Sequence, residues 1–135
     1  MHIDGGCHCG HVRYEAEIDP QDVSICHCTD CQSLTGSAFR VTVETKADHV
    51  RLTAAPPKLY VKTAANGARR LQYFCGGCGS PLFTTGDGEA AAFWGIRWGS
   101  IRQRADLVPK RQIWCRSAVP WIADVPGLPG VAGDD

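Results

Sequence analysis

Cysteine is the residue type in this chain whose spacing points most directly to chemistry. Seven of the eight cysteines fall into three tight groups: Cys7-x-Cys9, Cys26-x-Cys28-x-x-Cys31 and Cys75-Gly-Gly-Cys78. Thiolates that lie two or three positions apart can turn toward one tetrahedral Zn²⁺, with zinc–sulfur bonds of about 2.3 Å. The sequence therefore predicts that these groups bind zinc.

A disulfide framework is the competing interpretation of so many cysteines, and it requires an oxidising compartment. Residues 1–7 lack the basic start and the apolar run of roughly 7–15 residues that mark a secretory signal. No apolar stretch approaches the roughly 20 residues needed to span a bilayer, because charges and glycines interrupt every run. We therefore expect a soluble, cytoplasmic protein whose thiols stay reduced, which favours metal binding over disulfides.

The charge balance argues against a nucleic-acid or membrane partner. The chain has 135 residues, with 14 Lys and Arg against 14 Asp and Glu, so its formal charge is zero. Such a chain has no basic field to drive binding to nucleic acid or to an anionic membrane. Its length suits one domain with a modest core.

The spacing alone leaves open which cysteines share a metal. Pairing Cys28 and Cys31 with Cys75 and Cys78 would imitate a zinc ribbon, but it leaves three cysteines over. Pairing Cys7 and Cys9 with Cys75 and Cys78 instead uses two complete pairs and leaves Cys26, Cys28 and Cys31 as a triplet. The glycines of Cys75-Gly-Gly-Cys78 are typical of a zinc knuckle, where backbone N–H groups turn toward the sulfurs.

The number of ligands decides what a zinc at the triplet could do. Four protein ligands make a closed structural site, whereas three leave a position for water or substrate. A zinc held by Cys26, Cys28 and Cys31 alone could keep a substrate thiol deprotonated near neutral pH. Alternatively, a fourth ligand such as His27 could complete the shell, and the site would then only brace a loop.

Short alternating runs predict the strands that position these cysteines. In residues 12–18, Val12, Tyr14, Ala16 and Ile18 share one face of a half-buried strand. Similar runs predict strands over residues 39–44, 49–53, 59–63, 70–74, 81–85, 90–96 and 111–115. Asn66-Gly67 marks a hairpin turn, and residues 29–34 form the only predicted helical turn, with Gly36 as its stop. The predicted fold is mainly antiparallel β, with little helix and with metal-bearing loops.

At the cysteine groups the sequence resembles a known family. The motifs are Gly6-Cys-His-Cys-Gly10, Cys26-His-Cys-Thr-Asp-Cys-Gln32 with Gly36 after it, Phe74-Cys-Gly-Gly-Cys-Gly79, and Ile113-Trp-Cys-Arg-Ser-Ala-Val-Pro-Trp121. They are similar to motifs of the glutathione-dependent formaldehyde-activating family, which shares its domain with centromere protein V. The resemblance covers residues 5–129, which we expect to form one zinc-binding domain, with residues 130–135 as a loose tail.

The resemblance implies an Mss4-like antiparallel β-sheet fold built around a structural zinc. Transferred residue by residue, it assigns that zinc to Cys7, Cys9, Cys75 and Cys78. It assigns a second zinc, with an open position, to Cys26, Cys28 and Cys31. In formaldehyde-activating members, glutathione and formaldehyde combine to S-hydroxymethylglutathione, a reaction classed with the carbon–sulfur lyases.

Two functions from different classes follow from these features. The first is a zinc-dependent carbon–sulfur lyase-type enzyme that acts on an adduct of glutathione, or a similar thiol, with formaldehyde or a related carbonyl. The second is a non-catalytic zinc module, with both metals structural, that binds a protein partner. Glutathione would be the co-substrate of the enzyme, and its two carboxylates would require Arg side chains or backbone N–H groups.

The remaining conspicuous residues are predicted to be structural or exposed. No spacing singles out an arginine for glutathione, so exposed positions are expected for Arg40, Arg97, Arg102, Arg104 and Arg116. Core or partly buried packing is expected for Trp94, Trp98, Trp114 and Trp121. Cys115 is expected to be a small buried side chain in a strand. His8 and His27 alternate with ligand cysteines and should point away from the metals, and His2, His11 and His49 are expected to be exposed.

Overall fold

The strands bury one face and expose the other, as the alternation of apolar and polar residues in the sequence predicts. In the strand Arg13–Glu17 and its flanking residues, Val12, Tyr14, Ala16 and Ile18 are buried. Arg13 and the other residues of opposite parity face outward or lie partly exposed. Each strand of this type buries one face only, so it must pack on a second layer.

The computed structural model of the protein describes residues 1–134, and ten strands and one α-helix lie within them. The strands are β1 (His2–Gly6), β2 (Arg13–Glu17), β3 (Val23–Cys26), β4 (Arg40–Lys46), β5 (Val50–Leu52), β6 (Lys58–Thr63), β7 (Arg69–Phe74), β8 (Pro81–Gly86), β9 (Phe93–Arg97) and β10 (Arg111–Ile113). The helix α1 (Thr29–Thr35) ends at Gly36, whose left-handed backbone (φ 65°) closes its last turn. Short 3₁₀ helices cover Ala47–His49, Gly88–Ala92, Trp98–Ser100, Arg104–Asp106, Cys115–Ser117 and Pro120–Gly127.

The strands form two sheets of unequal size. The small sheet has the order β1-β2-β5, and the large sheet has the order β10-β3-β4-β9-β8-β7-β6. Neighbouring strands are antiparallel except for β10 and β3, which are parallel. The mainly β, largely antiparallel fold with little helix is thus confirmed.

The core forms where the two sheets meet. Tyr14 of the small sheet packs edge-on against Phe83 of the large sheet, with 4.8 Å between ring centroids. The tyrosine hydroxyl is hydrogen-bonded to Ser100 at 2.7 Å, so the buried polar atom has a partner. The other core side chains come from both sheets and their connections: Ile3, Cys7, Val12, Ala16, Ile18, Val23, Val43, Cys75, Leu82, Ile96, Ile101 and Leu107.

The opposite face of the large sheet is polar, and the strand register defines its members. Cys26 lies directly opposite Arg40 in the β3–β4 ladder, and Thr42 lies opposite Arg97 in the β4–β9 ladder. Gln72 lies opposite Thr84 in the β7–β8 ladder. Since side chains alternate between faces, these residues project from the side away from the core. We call this side the polar face.

The helix α1 lies across the polar face. Asp30 in its first turn forms an ion pair with Lys62 of β6, with 2.8 Å between carboxylate and ammonium. This ion pair connects the helix, which follows β3, with the edge strand farthest from β3. The polar face is therefore covered by protein at the place where Cys26 and Arg40 meet.

Most of the predicted strands agree with the structure, and three features differ. The predicted strand over residues 90–96 begins only at Phe93, because residues 88–92 turn as a 3₁₀ helix. The strands β1 and β3 were not predicted, since glycines weaken the pattern of β1 and β3 is only four residues long. The parallel pairing of β10 with β3 depends on contacts distant in sequence, which no local pattern reveals.

No helix within residues 1–134 combines the length and the apolar character that a membrane crossing requires. The 3₁₀ helix Pro120–Gly127 precedes the predicted tail at residues 130–135. The loose character of that tail stays a prediction, and residue 135 lies outside the described residues.

Candidate metal centres

The first cluster consists of Cys7, Cys9, Cys75 and Cys78, and two knuckle-like turns bring it together. Cys7 and Cys9 follow β1, whereas Cys75 and Cys78 lie in the turn between β7 and β8. All four sulfurs lie within 4.8 Å of one another. The first turn closes at Gly10 and the second at Gly79, both in the left-handed region (φ 81° and 79°) that favours glycine.

The sulfur separations in the first cluster fit a tetrahedral zinc. The Sγ atoms of Cys7 and Cys9 are 3.6 Å apart, and those of Cys9 and Cys75 are 3.7 Å apart. Tetrahedral zinc–sulfur bonds of about 2.3 Å place two sulfurs about 3.8 Å apart. A disulfide would bring two of them to about 2.05 Å. The four thiols therefore fit the metal, and all eight cysteines of the chain are free.

Backbone N–H groups point at the sulfurs of the first cluster. Val12 donates to the Cys7 sulfur at 3.3 Å, and Gly77 and Cys78 donate to the Cys75 sulfur at 3.3 and 3.5 Å. The hydroxyl and the backbone N–H of Ser80 donate hydrogen bonds to the Cys78 sulfur, and these bonds lower the pKa of the Cys78 thiol to about 5. N–H donors stabilise thiolates, which are the form of cysteine that binds metal.

The second cluster is the triplet Cys26, Cys28 and Cys31. Cys26 ends β3, Cys28 is the N-cap of α1, and Cys31 lies in the first turn of that helix. Their three sulfurs also lie within 4.8 Å of one another. The backbone N–H of Cys31 donates to the Cys28 sulfur at 3.3 Å, so a cysteine serves as the cap of this helix.

The thiols of the triplet differ in acidity. Burial opposes ionisation throughout the triplet, and it raises the pKa of Cys31 to about 12 and also raises that of Cys26. The pKa of Cys28 is lowered despite its burial, because the N–H of Cys31 and the neighbouring thiols donate hydrogen bonds to its sulfur. In the absence of metal, Cys28 is thus the first thiolate of the triplet, and metal binding must release the other protons.

Within residues 1–134, no His, Cys, Asp or Glu joins the triplet as a fourth ligand atom at the same distance. His27 is buried, but its Nε2 is hydrogen-bonded to Gln112 at 2.8 Å and its ring packs against Phe39. It points away from the triplet, as the alternation with Cys26 and Cys28 predicts. The triplet can therefore supply three thiolates and leave one position of a tetrahedral metal to another molecule.

The side chain of Gln32 connects α1 to two other segments, the loop before the helix and the 3₁₀ helix after β10. Its side-chain NH₂ donates to the carbonyl of His27 at 2.9 Å and to the carbonyl of Ser117 at 3.1 Å. The loop before the helix and the 3₁₀ helix after β10 are thus held by one side chain. This fixes the positions of Cys28 and Cys31 without a bound metal.

Of the two pairings that the spacing leaves open, the structure contains the second. The sulfurs of Cys75 and Cys78 lie with those of Cys7 and Cys9, and Cys28 and Cys31 lie with Cys26. A ribbon-like pairing of Cys28 and Cys31 with Cys75 and Cys78 does not form. Both clusters could hold metal ions, and the assignment of zinc to them stays a prediction.

The prediction that Arg40 and Arg97 are exposed was wrong. Arg40 is 5% and Arg97 is 9% exposed, because both side chains project from the polar face beneath α1. The sequence pattern places an arginine on the face away from the core, where water is the usual neighbour, and it does not reveal that a helix covers that face. Arg102, Arg104 and Arg116 are exposed as expected.

Trp114, Trp121 and Cys115 also differ from expectation. Trp114 and Trp121 are 46% and 55% exposed, whereas Trp94 and Trp98 pack against the core as expected. Trp114 has a left-handed backbone (φ 57°) and lies under the guanidinium of Arg116, 4.5 Å from the ring centroid. That turn ends β10 early, so Cys115 is exposed in a 3₁₀ helix instead of buried in a strand.

Comparisons with known proteins agree with the cysteine motifs and with the fold. A sequence profile described as "Glutathione-dependent formaldehyde-activating enzyme" matches residues 2–117. No curated protein matches the chain. A solved structure of a Rhodobacter sphaeroides protein is similar in fold, with a TM-score of 0.61 and 19% sequence identity over 81% of this chain and 98% of that chain. The profile covers both cysteine clusters, and the structural likeness extends over most of the chain.

Proposed function

The chain belongs to the glutathione-dependent formaldehyde-activating family, and from that premise we propose that it is a zinc-dependent carbon–sulfur lyase-type enzyme. Its substrate would be the adduct of glutathione, or of a similar thiol, with formaldehyde or a related small carbonyl. The cytoplasm, where glutathione keeps thiols reduced, is the compartment that suits this reaction. The first cluster would hold a structural zinc and the triplet a second, reactive zinc.

The observation that carries this proposal is the incomplete ligand set of the triplet. Three converging sulfurs on a fixed helix end, with no fourth ligand atom among the described residues, match the number of protein ligands of a catalytic zinc. Thiolate ligands donate charge to a metal and weaken its Lewis acidity, so activating a thiol is a more suitable task than polarising a carbonyl. When bound, zinc at this site would stabilise a substrate thiol as its thiolate.

The chain's own residues hold and orient the reacting groups in this scheme. Cys26, Cys28 and Cys31 are fixed by β3, by the N-cap and by the first turn of α1. In the synthetic direction the substrate thiol releases its proton to water, its sulfur forms a bond with the carbonyl carbon, and the C=O π electrons move to oxygen. That oxygen takes up a proton from water, and the product is a hydroxymethyl thioether. The lyase direction reverses these steps.

Exchange NMR can test the proposed reaction, because it measures the interconversion of glutathione and its formaldehyde adduct at equilibrium. The zinc-loaded protein is expected to raise the exchange rate above the spontaneous rate, and the Cys28→Ser protein is expected not to. Cys115→Ser is the matched control, since Cys115 is exposed and lies outside both clusters.

Zinc content before and after dialysis against millimolar glutathione distinguishes the enzyme from a purely structural zinc module. An open site should lose its zinc to the thiol while circular dichroism remains unchanged, and the count should fall from about two to about one. Two zincs that glutathione cannot displace, together with no rate enhancement, would favour the non-catalytic protein-binding module instead.

A further inference from the structure

A cavity of about 330 Å³ lies between α1 and the polar face of the large sheet. Leu34 of α1 lines one side, and Tyr60 of β6 and Gln72 of β7 line another. Arg40 of β4 and Arg97 of β9 also line it. We call this space the arginine cavity.

The two arginines of this cavity are buried without a carboxylate partner among residues 1–134. Arg97 donates from Nη2 to the side-chain oxygen of Gln72 at 2.6 Å and from Nη1 to Thr42 at 2.9 Å. Arg40 donates from Nη1 to the same Gln72 oxygen at 3.3 Å. Within residues 1–134, neither arginine lies in an ion pair with a carboxylate, and the buried Nε of Arg40 has no hydrogen-bond partner.

Two buried positive charges that share one neutral acceptor are costly for the fold. Burial, followed by the positive charge of Arg40, lowers the pKa of Arg97 to about 9. Burial also lowers the pKa of Arg40, although the neighbouring thiolates of the triplet partly oppose this. A charged group in a protein interior is normally paired with an opposite charge. The planar guanidinium of arginine is well suited to binding a planar anion such as a carboxylate.

The charge of the loaded triplet leaves room for one monoanion. Three thiolates with one divalent zinc carry a single negative charge, whereas Arg40 and Arg97 together carry two positive charges. One carboxylate in the arginine cavity would bring this group of charges to zero. The β3–β4 register places Cys26 directly opposite Arg40, so such an anion would lie within about one side-chain length of the reacting sulfur.

We propose that Arg40 and Arg97 form a carboxylate-binding subsite that holds an acidic group of the thiol substrate beside the triplet. Gln72 positions both guanidiniums by accepting a hydrogen bond from each. The reactive role of the triplet rests on the proposed function, whereas the binding of a carboxylate in the arginine cavity does not.

The test uses S-methylglutathione, because its thioether cannot form a thiolate and its two carboxylates are intact. Calorimetry is expected to show that it binds the zinc-loaded protein, and that its diethyl ester, which lacks both carboxylates, binds at least tenfold more weakly. Arg40→Gln should weaken S-methylglutathione about tenfold, which corresponds to about 1.4 kcal/mol. Arg69→Gln is the matched control, since Arg69 lies in the same sheet and is exposed.

Several outcomes would overturn the subsite. Equal affinity for the acid and its ester would show that the carboxylates make no contact. Competition by inorganic phosphate at similar strength would show a general oxyanion site and not a carboxylate site. If Arg40→Gln fails to fold, Arg97→Lys keeps the charge but loses the planar donor pair, and unchanged affinity in that protein would count against the proposal.

The two proposals can fail separately. S-methylglutathione that binds through Arg40 in a protein without exchange activity would leave the subsite standing and remove the lyase. Exchange activity in a protein that binds the acid and the ester equally would leave the lyase standing and remove the subsite.

Discussion

At the scale of single residues, the two cysteine clusters differ in what their ligands connect. Cys75 is almost fully buried, accepts two backbone hydrogen bonds on its sulfur and belongs to the core. The three cysteines of the triplet are partly exposed, and the strand partner of Cys26, Arg40, lines the arginine cavity. The first cluster is thus anchored in the core through Cys7 and Cys75, although Cys9 and Cys78 are exposed, whereas no cysteine of the triplet belongs to the core.

We expect Cys75→Ser to abolish soluble folding, because a structural zinc contributes directly to the free energy of folding and a hydroxyl is a poor replacement for a thiolate. Removing a structural metal site from a small domain costs several kcal/mol, which is comparable with the whole stability of such a domain. The measurement is the yield of soluble protein together with its circular dichroism. Cys115→Ser should behave as the unmodified protein, and a fully folded Cys75→Ser protein would contradict the structural assignment.

Cys28→Ser should give a folded protein that carries about one zinc in place of about two. A serine at the N-cap still accepts the N–H of Cys31, so the helix keeps its cap while the metal loses a ligand. Elemental analysis and circular dichroism on the same sample check both parts of this expectation. An unfolded Cys28→Ser protein would show that the second site is structural as well.

At the scale of elements, α1 is a seven-residue helix that must be stabilised by its two ends. Helices this short are marginal by themselves. The helix is held in place by the cap at Cys28, by the left-handed Gly36, and by hydrogen bonds from Gln32 to the carbonyls of His27 and Ser117. The geometry of the triplet therefore depends on residues that do not bind metal.

We expect Gly36→Ala to lower the affinity of the triplet for zinc with little change in global stability. A side chain in the left-handed conformation costs about 1 kcal/mol, and no other group would contact the new methyl. A competition titration with a zinc-binding dye measures the affinity. Gly99→Ala is the control, because Gly99 is exposed and has open space but does not have a positive φ. Equal zinc affinity in the two proteins would show that the end of α1 does not control the triplet.

The same elements show which features of the structure could be predicted from the sequence alone. Local patterns predicted α1, its stop at Gly36 and most strands, because alternation and turn residues act over a few positions. They could not predict that α1 covers the polar face, because that depends on the Asp30–Lys62 contact and on the strand order of the large sheet. For this reason Arg40 and Arg97 were expected at the surface although they line the cavity.

At the scale of the whole molecule, the first cluster joins the two sheets. Cys7 and Cys9 extend from β1 of the small sheet, and Cys75 and Cys78 belong to the β7–β8 turn of the large sheet. Apart from this cluster, the sheets are held by the shared core and by contacts such as the bifurcated hydrogen bond from Arg102 Nε, in the segment after β9, to the Asp4 carboxylate of β1. A metal in the first cluster would therefore act as a cross-link between layers, whereas a metal in the triplet would lie on the large sheet alone.

This difference predicts that a strong chelator removes the two metals in separate stages. Zinc should leave the triplet first, with no change in circular dichroism, because the triplet supplies three ligands instead of four and its loss leaves the contact between the sheets intact. Loss of the second zinc should coincide with cooperative unfolding, since the metal stabilises only the folded arrangement in which the two sheets meet. Trp94, which stacks on Tyr73 and packs against Phe83 in the core, provides a fluorescence signal for that step.

The chelator concentration that each stage requires should also respond to pH in a defined direction. Metal-bound cysteines are deprotonated, so the loaded, folded state holds fewer protons than the unfolded chain and loses stability as the pH falls. At lower pH both stages should therefore need less chelator, and they should keep their order. Simultaneous release of both zincs at the unfolding transition, at every pH, would show that the triplet is as much a part of the folded framework as the first cluster.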